Sequence, residues 1–177
     1  MKKIILLFLG LISGISVFSQ TEAYSADVKQ CLKSNGTYTY YESVFDACFS
    51  QIEAQYSKFG ISSETWDELK SVKPEAMEDV SDKLVLAYQD YFNHDDVKRM
   101  NTLFASNTGQ TMLSNPEALT KKDKKTIDEF YRSATGKKIT KSQAGMQEKM
   151  QVISDFWCGE MYKTVNKKLE EKGYSVR

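Results

Sequence analysis

An all-α fold is predicted for this 177-residue chain by three features of its sequence. Apolar residues recur at i, i+3 and i+4 through nearly the whole chain after residue 25. No run of five or more residues alternates well enough to make a strand. A helix with its flanking signals is stated twice, 27 residues apart, and such repetition fixes architecture because each copy buries a face against its neighbours. The expected form is a single-domain bundle of about six or seven helices, with an internal helical repeat and a long C-terminal helix.

The elements follow in order. Lys2 and Lys3, an apolar stretch from Ile4 to Phe18 and the Val17-Phe-Ser19 ending have the layout of a secretory signal peptide cleaved before Gln20. Residues 20–177 are then one helical domain, and export places it in the periplasm or outside the cell. The apolar stretch is shorter than the ~20 residues a membrane span needs. A short helix over about Ala26–Ser34 opens at Ser25 and stops at Asn35-Gly36, with Val28, Cys31 and Leu32 on one face. A second, about Tyr40–Phe59, aligns Tyr41, Val44, Phe45, Cys48, Phe49, Ile52 and Tyr56 and ends at Gly60. A third begins at Ser62 or Ser63 and buries Trp66 and Leu69. Pro74 suits the first turn of a fourth, whose face is Met77, Val80, Leu84, Tyr88, Tyr91 and Phe92.

The repeat units span about residues 94–109 and 121–136. Asn93 and Thr120 are the expected N-caps, with Asp96 and Asp123 three residues on in a variant capping box. Ser106, Thr108 and Gly109 match Ser133, Thr135 and Gly136, and the two glycines are read as helix stops. The longest helix follows over roughly Lys138–Lys172, with Ile139, Met146, Met150, Ile153, Trp157, Met161, Val165 and Leu169 in one stripe and Gly173 as its end.

The acid near a helix start, the Phe130-Tyr131 pair, Ser133-Ala-Thr-Gly136 and the following Lys137-Lys138 resemble the signature of a bacterial envelope family, domain of unknown function 2059. The similarity covers about Tyr91–Ile139, with a looser match through the long helix. Asn107 and Ala134 stand where that family usually has proline, and Ser-x-Thr-Gly can form the turn that Ser-Pro-x-Gly would. The resemblance implies an exported all-helical domain and brings no catalytic residues.

Charge narrows the partners. The whole chain has 24 basic and 24 acidic residues; loss of Lys2 and Lys3 with the leader leaves 22 against 24, which disfavours nucleic acid. Ten acids against three lysines lie between Glu64 and Asp96, and eight basic residues against three acids between Lys121 and Lys141. Lys121, Lys122, Lys124, Lys125, Arg132, Lys137, Lys138 and Lys141 are therefore a candidate surface for an acidic envelope protein or anionic ligand. A second candidate is an aromatic groove between the repeat hairpin and the long helix, lined by Tyr88, Tyr91, Tyr131 and Trp157, with the long helix's methionines as core filler or a pliable wall.

Cys31, Cys48 and Cys158 are an odd set, so at least one thiol is unpaired within a monomer. Cys31 and Cys48 on an antiparallel hairpin miss one another by roughly 10 Å at ~1.5 Å per residue, and both are read as buried thiols. His94 is the only histidine and stands in a first turn beside Asp95 and Asp96. Asp90 and His94 could share one metal ion, but no further histidine or cysteine pair completes a site, and no cofactor is expected. Glu42-Ser43 alone does not make a cell-wall lytic motif. The expected role is a non-catalytic binding or accessory module; the alternative is a glycan hydrolase with two acids facing each other across a cleft.

Overall fold

The computed structural model describes the backbone of residues 12–175 and the side chains of residues 20–175. Among these residues there are eight α-helices and no strand: α1 Ile12–Ser34, α2 Thr37–Gln55, α3 Ser63–Lys70, α4 Lys73–Gln89, α5 His94–Phe104, α6 Asn107–Ser114, α7 Lys121–Arg132 and α8 Ala134–Glu171. Short 3-10 turns at Ser57–Phe59 and Pro116–Ala118 complete the chain. The all-α class and the long last helix agree with the sequence. Lys2, Lys3 and the start of the expected leader lie outside the described residues.

Helices α1, α2, α4 and α8 pack together as the central bundle; α5 lies along α1, and α7 along α8. The periodic stripes meet in one core. Val28, Cys31 and Leu32 of α1 are buried with Tyr41, Phe45, Phe49 and Ile52 of α2, Met77, Val80 and Leu84 of α4, and Trp157, Met161, Val165 and Leu169 of α8. Aromatic edges lock this centre, with Trp157 5.9 Å from Tyr41 and 6.1 Å from Phe45 between ring centroids. A buried polar tie joins α2 to α8: the Tyr41 hydroxyl donates to the Met150 carbonyl at 3.1 Å, and Ser154 donates to Tyr41 at 3.1 Å.

Several signals act where the sequence put them. Ser62 caps α3 by accepting from the Thr65 amide, Pro74 sits in the first turn of α4, and Gly173 follows α8 at φ 90°. Asn93 and Thr120 form complete capping boxes with Asp96 and Asp123. Gly36 at φ 83° turns the chain so tightly that α2 starts at Thr37, three residues before the expected Tyr40. Helix α1 does not open at Ser25; it is already helical from Ile12, and Tyr24 joins the core with its hydroxyl donating to the Phe92 carbonyl at 2.9 Å.

Two expectations are corrected. Gly109 and Gly136 are not helix stops, because α5 ends at Phe104 and α7 at Arg132, and each glycine occupies the third position of the next helix. Neither has a positive φ. They are small because of close approach: a Cβ on Gly109 would stand 2.0 Å from the Leu103 carbonyl oxygen, and one on Gly136 2.3 Å from that of Phe130. The serine before each is the hinge. Ser106 Oγ donates to the Leu103 carbonyl at 2.6 Å and accepts from the Gly109 amide at 3.0 Å; Ser133 does the same with Phe130 at 2.6 Å and Gly136 at 3.2 Å. Ser-x-Thr-Gly is thus a start signal, which adds α6 and lengthens α8 backwards to Ala134. The second correction concerns Cys48, which is bonded to Cys158 and staples α2 to α8 at a Cα separation of 6.2 Å. Cys31 is the buried free thiol that the sequence suggested.

Candidate functional site

The two elbows are built into each other. Thr108, in the elbow of the first unit, donates to Asp123 of the second at 2.6 Å; Thr135, in the elbow of the second, donates to Asp96 of the first at 2.8 Å. Each acid also accepts from the backbone N–H of its own N-cap residue, Asn93 at 3.2 Å for Asp96 and Thr120 at 3.0 Å for Asp123. Every acid thereby caps one unit and holds the other. Burial works to raise the Asp96 carboxyl, but hydrogen bonds from Lys138, Thr135 and the Asn93 amide outweigh it and keep it below the ordinary carboxylate value. Bonds from Thr108 and Thr120 lower Asp123 likewise.

This clasp sets the first turns of α8 beside α7 and produces the basic lobe. Helix α7 carries no fully buried side chain; Ile127 and Phe130 are half-buried on its inner face while its lysines point outward. Lys125 lies 3.7 Å from Glu129, Arg132 2.9 Å from Asp128, and Lys138 is bonded to the buried Asp96. Lys121, Lys122, Lys124, Lys137 and Lys141 are exposed and have no ion-pair partner among the described residues. Elsewhere some lysines are paired, Lys29 with Glu78 and Asp82, Lys73 with Asp46, Lys149 with Asp90 and Lys172 with Glu68, while Lys33, Lys58, Lys98, Lys167 and Lys168 have no ion-pair partner among the described residues.

The aromatic groove expected from Tyr88, Tyr91, Tyr131 and Trp157 does not form, since the four are dispersed. Trp157 is core with one edge on a small cleft between α4 and α8, Tyr91 lines a separate cleft further along those helices with its hydroxyl against Gly145, and Tyr131 is exposed and meets Phe130 edge-on. Of the four, Tyr88 alone lines a groove of about 580 Å³ where the α1–α2 turn, α4, α5 and the first half of α8 converge. Its floor is Tyr88, Phe92, Met100, Phe104, Ile139, Met146 and Met150, and its rim is Asn35, Thr37, Tyr40, Gln143, Gln147 and Gln151. No charged side chain lines it. Phe92, Met146 and Met150 were visible as helical stripe residues; that they share a groove with Met100 and Tyr40 depends on helix crossings that no local pattern encodes.

His94 is a tie between helices. Its Nε2 lies 2.6 Å from Asp27 Oδ2 of α1, and Asn101, about two turns later, donates to the Asp27 carbonyl at 2.8 Å. Asp90 pairs with Lys149 instead of approaching His94, so that pair forms no joint site. No group of three potential metal-binding side chains occurs among the described residues. Acids do gather at one cleft of about 280 Å³, where Glu75, Asp79 and Glu160 stand near Trp157. All three are exposed, and Asp79 and Glu160 already pair with Lys83 and Lys163, so none has the apolar enclosure that makes a carboxyl a proton donor near neutrality. Glu42 is half-buried on α2. No family model, no curated protein and no solved structure matches this chain.

Proposed function

We propose that the protein is an exported, non-catalytic binding module that engages an acidic envelope protein or anionic ligand through α7 and the first turns of α8. The observation that carries this reading is the concentration of charge: eight basic residues stand against three acids between Lys121 and Lys141 in a chain with 24 of each, and five of those lysines have no ion-pair partner among the described residues. An unpaired cationic face repels itself, and that cost is recovered when an anion docks. Export is supported by the order of charge, apolar stretch and small residues at the N-terminus, and by the Cys48–Cys158 bond, which suits an oxidising compartment. No described helix is long and apolar enough to cross a membrane. The reading includes the resemblance of the Ser-x-Thr-Gly segments to the domain of unknown function 2059 family, which implies an exported helical domain.

The test uses four exposed positions without internal duties. Lys138 is excluded because it satisfies Asp96, and a reversal there would set two carboxylates against each other. Reversing Lys121, Lys122, Lys124 and Lys137 to Glu should abolish retention on an anionic matrix such as heparin. In the parent protein that retention should weaken steeply with salt, because the attraction is screened beyond roughly 8–10 Å at physiological ionic strength. Thermal stability should hold or rise slightly, since Lys121 and Lys122 oppose the dipole at the start of α7. Undiminished retention by the folded quadruple variant would sink the proposal.

A further inference from the structure

The methionine-floored groove lies on a different face from the basic lobe and has its own chemistry. Its lining holds no charge, so it offers nothing to offset the desolvation of an ionic ligand. A fatty acid would leave its carboxylate without a cationic partner at this lining. The groove runs beside α8 from Ile139 to Gln151, twelve residues or about 18 Å at the helical rise. A helix satisfies its own backbone groups internally, whereas an extended chain lying along this length needs polar partners from the wall beside it.

One wall adds a polar pattern. Gln143, Gln147 and Gln151 are exposed and follow one another at single-turn intervals, about 6 Å apart. Alternate residues of an extended peptide repeat at about 6.6–6.8 Å, close enough for three successive amides to meet three successive peptide groups. The side-chain amides of Gln143 and Gln147 have no hydrogen-bond partner among the described residues, while Gln151 donates to Asp155 at 2.8 Å. An extended peptide needs such partners for its backbone, which an acyl chain does not. Methionine, flexible and polarisable, suits side chains of differing shape.

We propose that this groove binds an extended, uncharged, apolar segment of a partner polypeptide, seating alternate side chains on Met100, Met146 and Met150 while Gln143, Gln147 and Gln151 hydrogen-bond its backbone. The substrate class is therefore an unfolded or strand-like apolar stretch carrying no formal charge.

Fluorescence anisotropy on the full chain tests this with a labelled nonapeptide of alternating Leu and Ser, blocked at both ends. Binding should saturate and persist from about 50 to 500 mM salt, a range in which charge-driven contacts fade. Replacing Gln143, Gln147 and Gln151 together by Ala should weaken it about tenfold or more, as expected for three modest hydrogen bonds, without moving the melting temperature. Methylating alternate backbone nitrogens of the peptide should weaken it similarly, and the triple variant should no longer distinguish methylated from unmethylated peptide. The proposal is overturned if the parent protein shows no saturable binding of this peptide. It also fails if the triple variant binds undiminished, or if palmitate or a preformed Leu-rich helical peptide occupies the groove more tightly.

Discussion

Glycine at positions 109 and 136 is a packing requirement, and that makes the two residues separable from other glycines by experiment. A methyl group at either site meets backbone carbonyl and Cα atoms of the preceding helix, which cannot step aside as a side-chain end can. Gly109→Ala and Gly136→Ala should each lower stability by about 2–3 kcal/mol in chemical denaturation, the scale of core overpacking. Gly159→Ala, in the middle of α8 with nothing within 4 Å of its added carbon, should instead raise it by up to about 1 kcal/mol. If all three behave alike, the elbows are not tight. Asp96 gives a second residue-level test. Its folded carboxyl is held below the ordinary value, so its contribution is complete above about pH 4 and fades as pH falls through the lower folded value. Asp96→Asn should cost about 2–3 kcal/mol near neutrality, since Thr135, Lys138 and the Asn93 amide all lose a charged acceptor. The gap between parent and variant should narrow below pH 4. The residues of this clasp were legible as a repeat, but their partners were not: a capping box is local, whereas Thr108–Asp123 and Thr135–Asp96 join opposite units.

At the scale of elements, caps and stripes were readable because they depend on spacing within one helix, which is why Asn93, Thr120, Ser62 and Pro74 stand where expected. Helix α6 escaped because Ser and Gly serve both helix ends. Nothing local distinguishes a glycine closing one helix from a glycine opening the next; the deciding fact is the contact with Leu103 across the elbow. The disulfide escaped for a related reason. Cys48 and Cys158 are 110 residues apart, and Cys48 fits the apolar stripe of its own helix, so neither spacing nor pattern points to the pairing. Closing so long a loop constrains the unfolded chain strongly, and replacing both cysteines by Ser should cost about 2–4 kcal/mol. Thiol titration checks the pairing directly. The native protein should react with none of its three cysteines, because Cys31 is fully buried and burial pushes its thiol up to about 12. The denatured oxidised chain should expose one thiol, and the denatured reduced chain three. A reactive thiol in the native state would mean that the staple is open.

For the molecule as a whole, the division between leader and domain is where sequence and fold bear on each other most closely. The leader reading cuts the chain between Ser19 and Gln20, and that point falls inside α1, which runs unbroken from Ile12 to Ser34. The residues just after the cut carry little of the fold: Gln20, Thr21, Glu22 and Ala23 are all exposed. Tyr24 is the first buried side chain described; it anchors α1 through its bond to the Phe92 carbonyl and its ring edge 5.7 Å from His94. One turn later Asp27 receives His94 and Asn101, and Val28 reaches the centre of the core. Helix α1 is thus attached to α5 from Tyr24 onward, and a cut at Gln20 spares every one of these contacts. A chain beginning at Gln20 should fold with full cooperativity. One beginning at Ala26 should lose several kcal/mol, because it forfeits a buried aromatic side chain, worth about 3–5 kcal/mol when truncated in a core, and one buried hydrogen bond. The two chains, compared by urea denaturation and near-ultraviolet circular dichroism, locate the boundary. Equal stability would show that the attachment begins further along, and a Gln20 chain that fails to fold would show that residues before it belong to the domain.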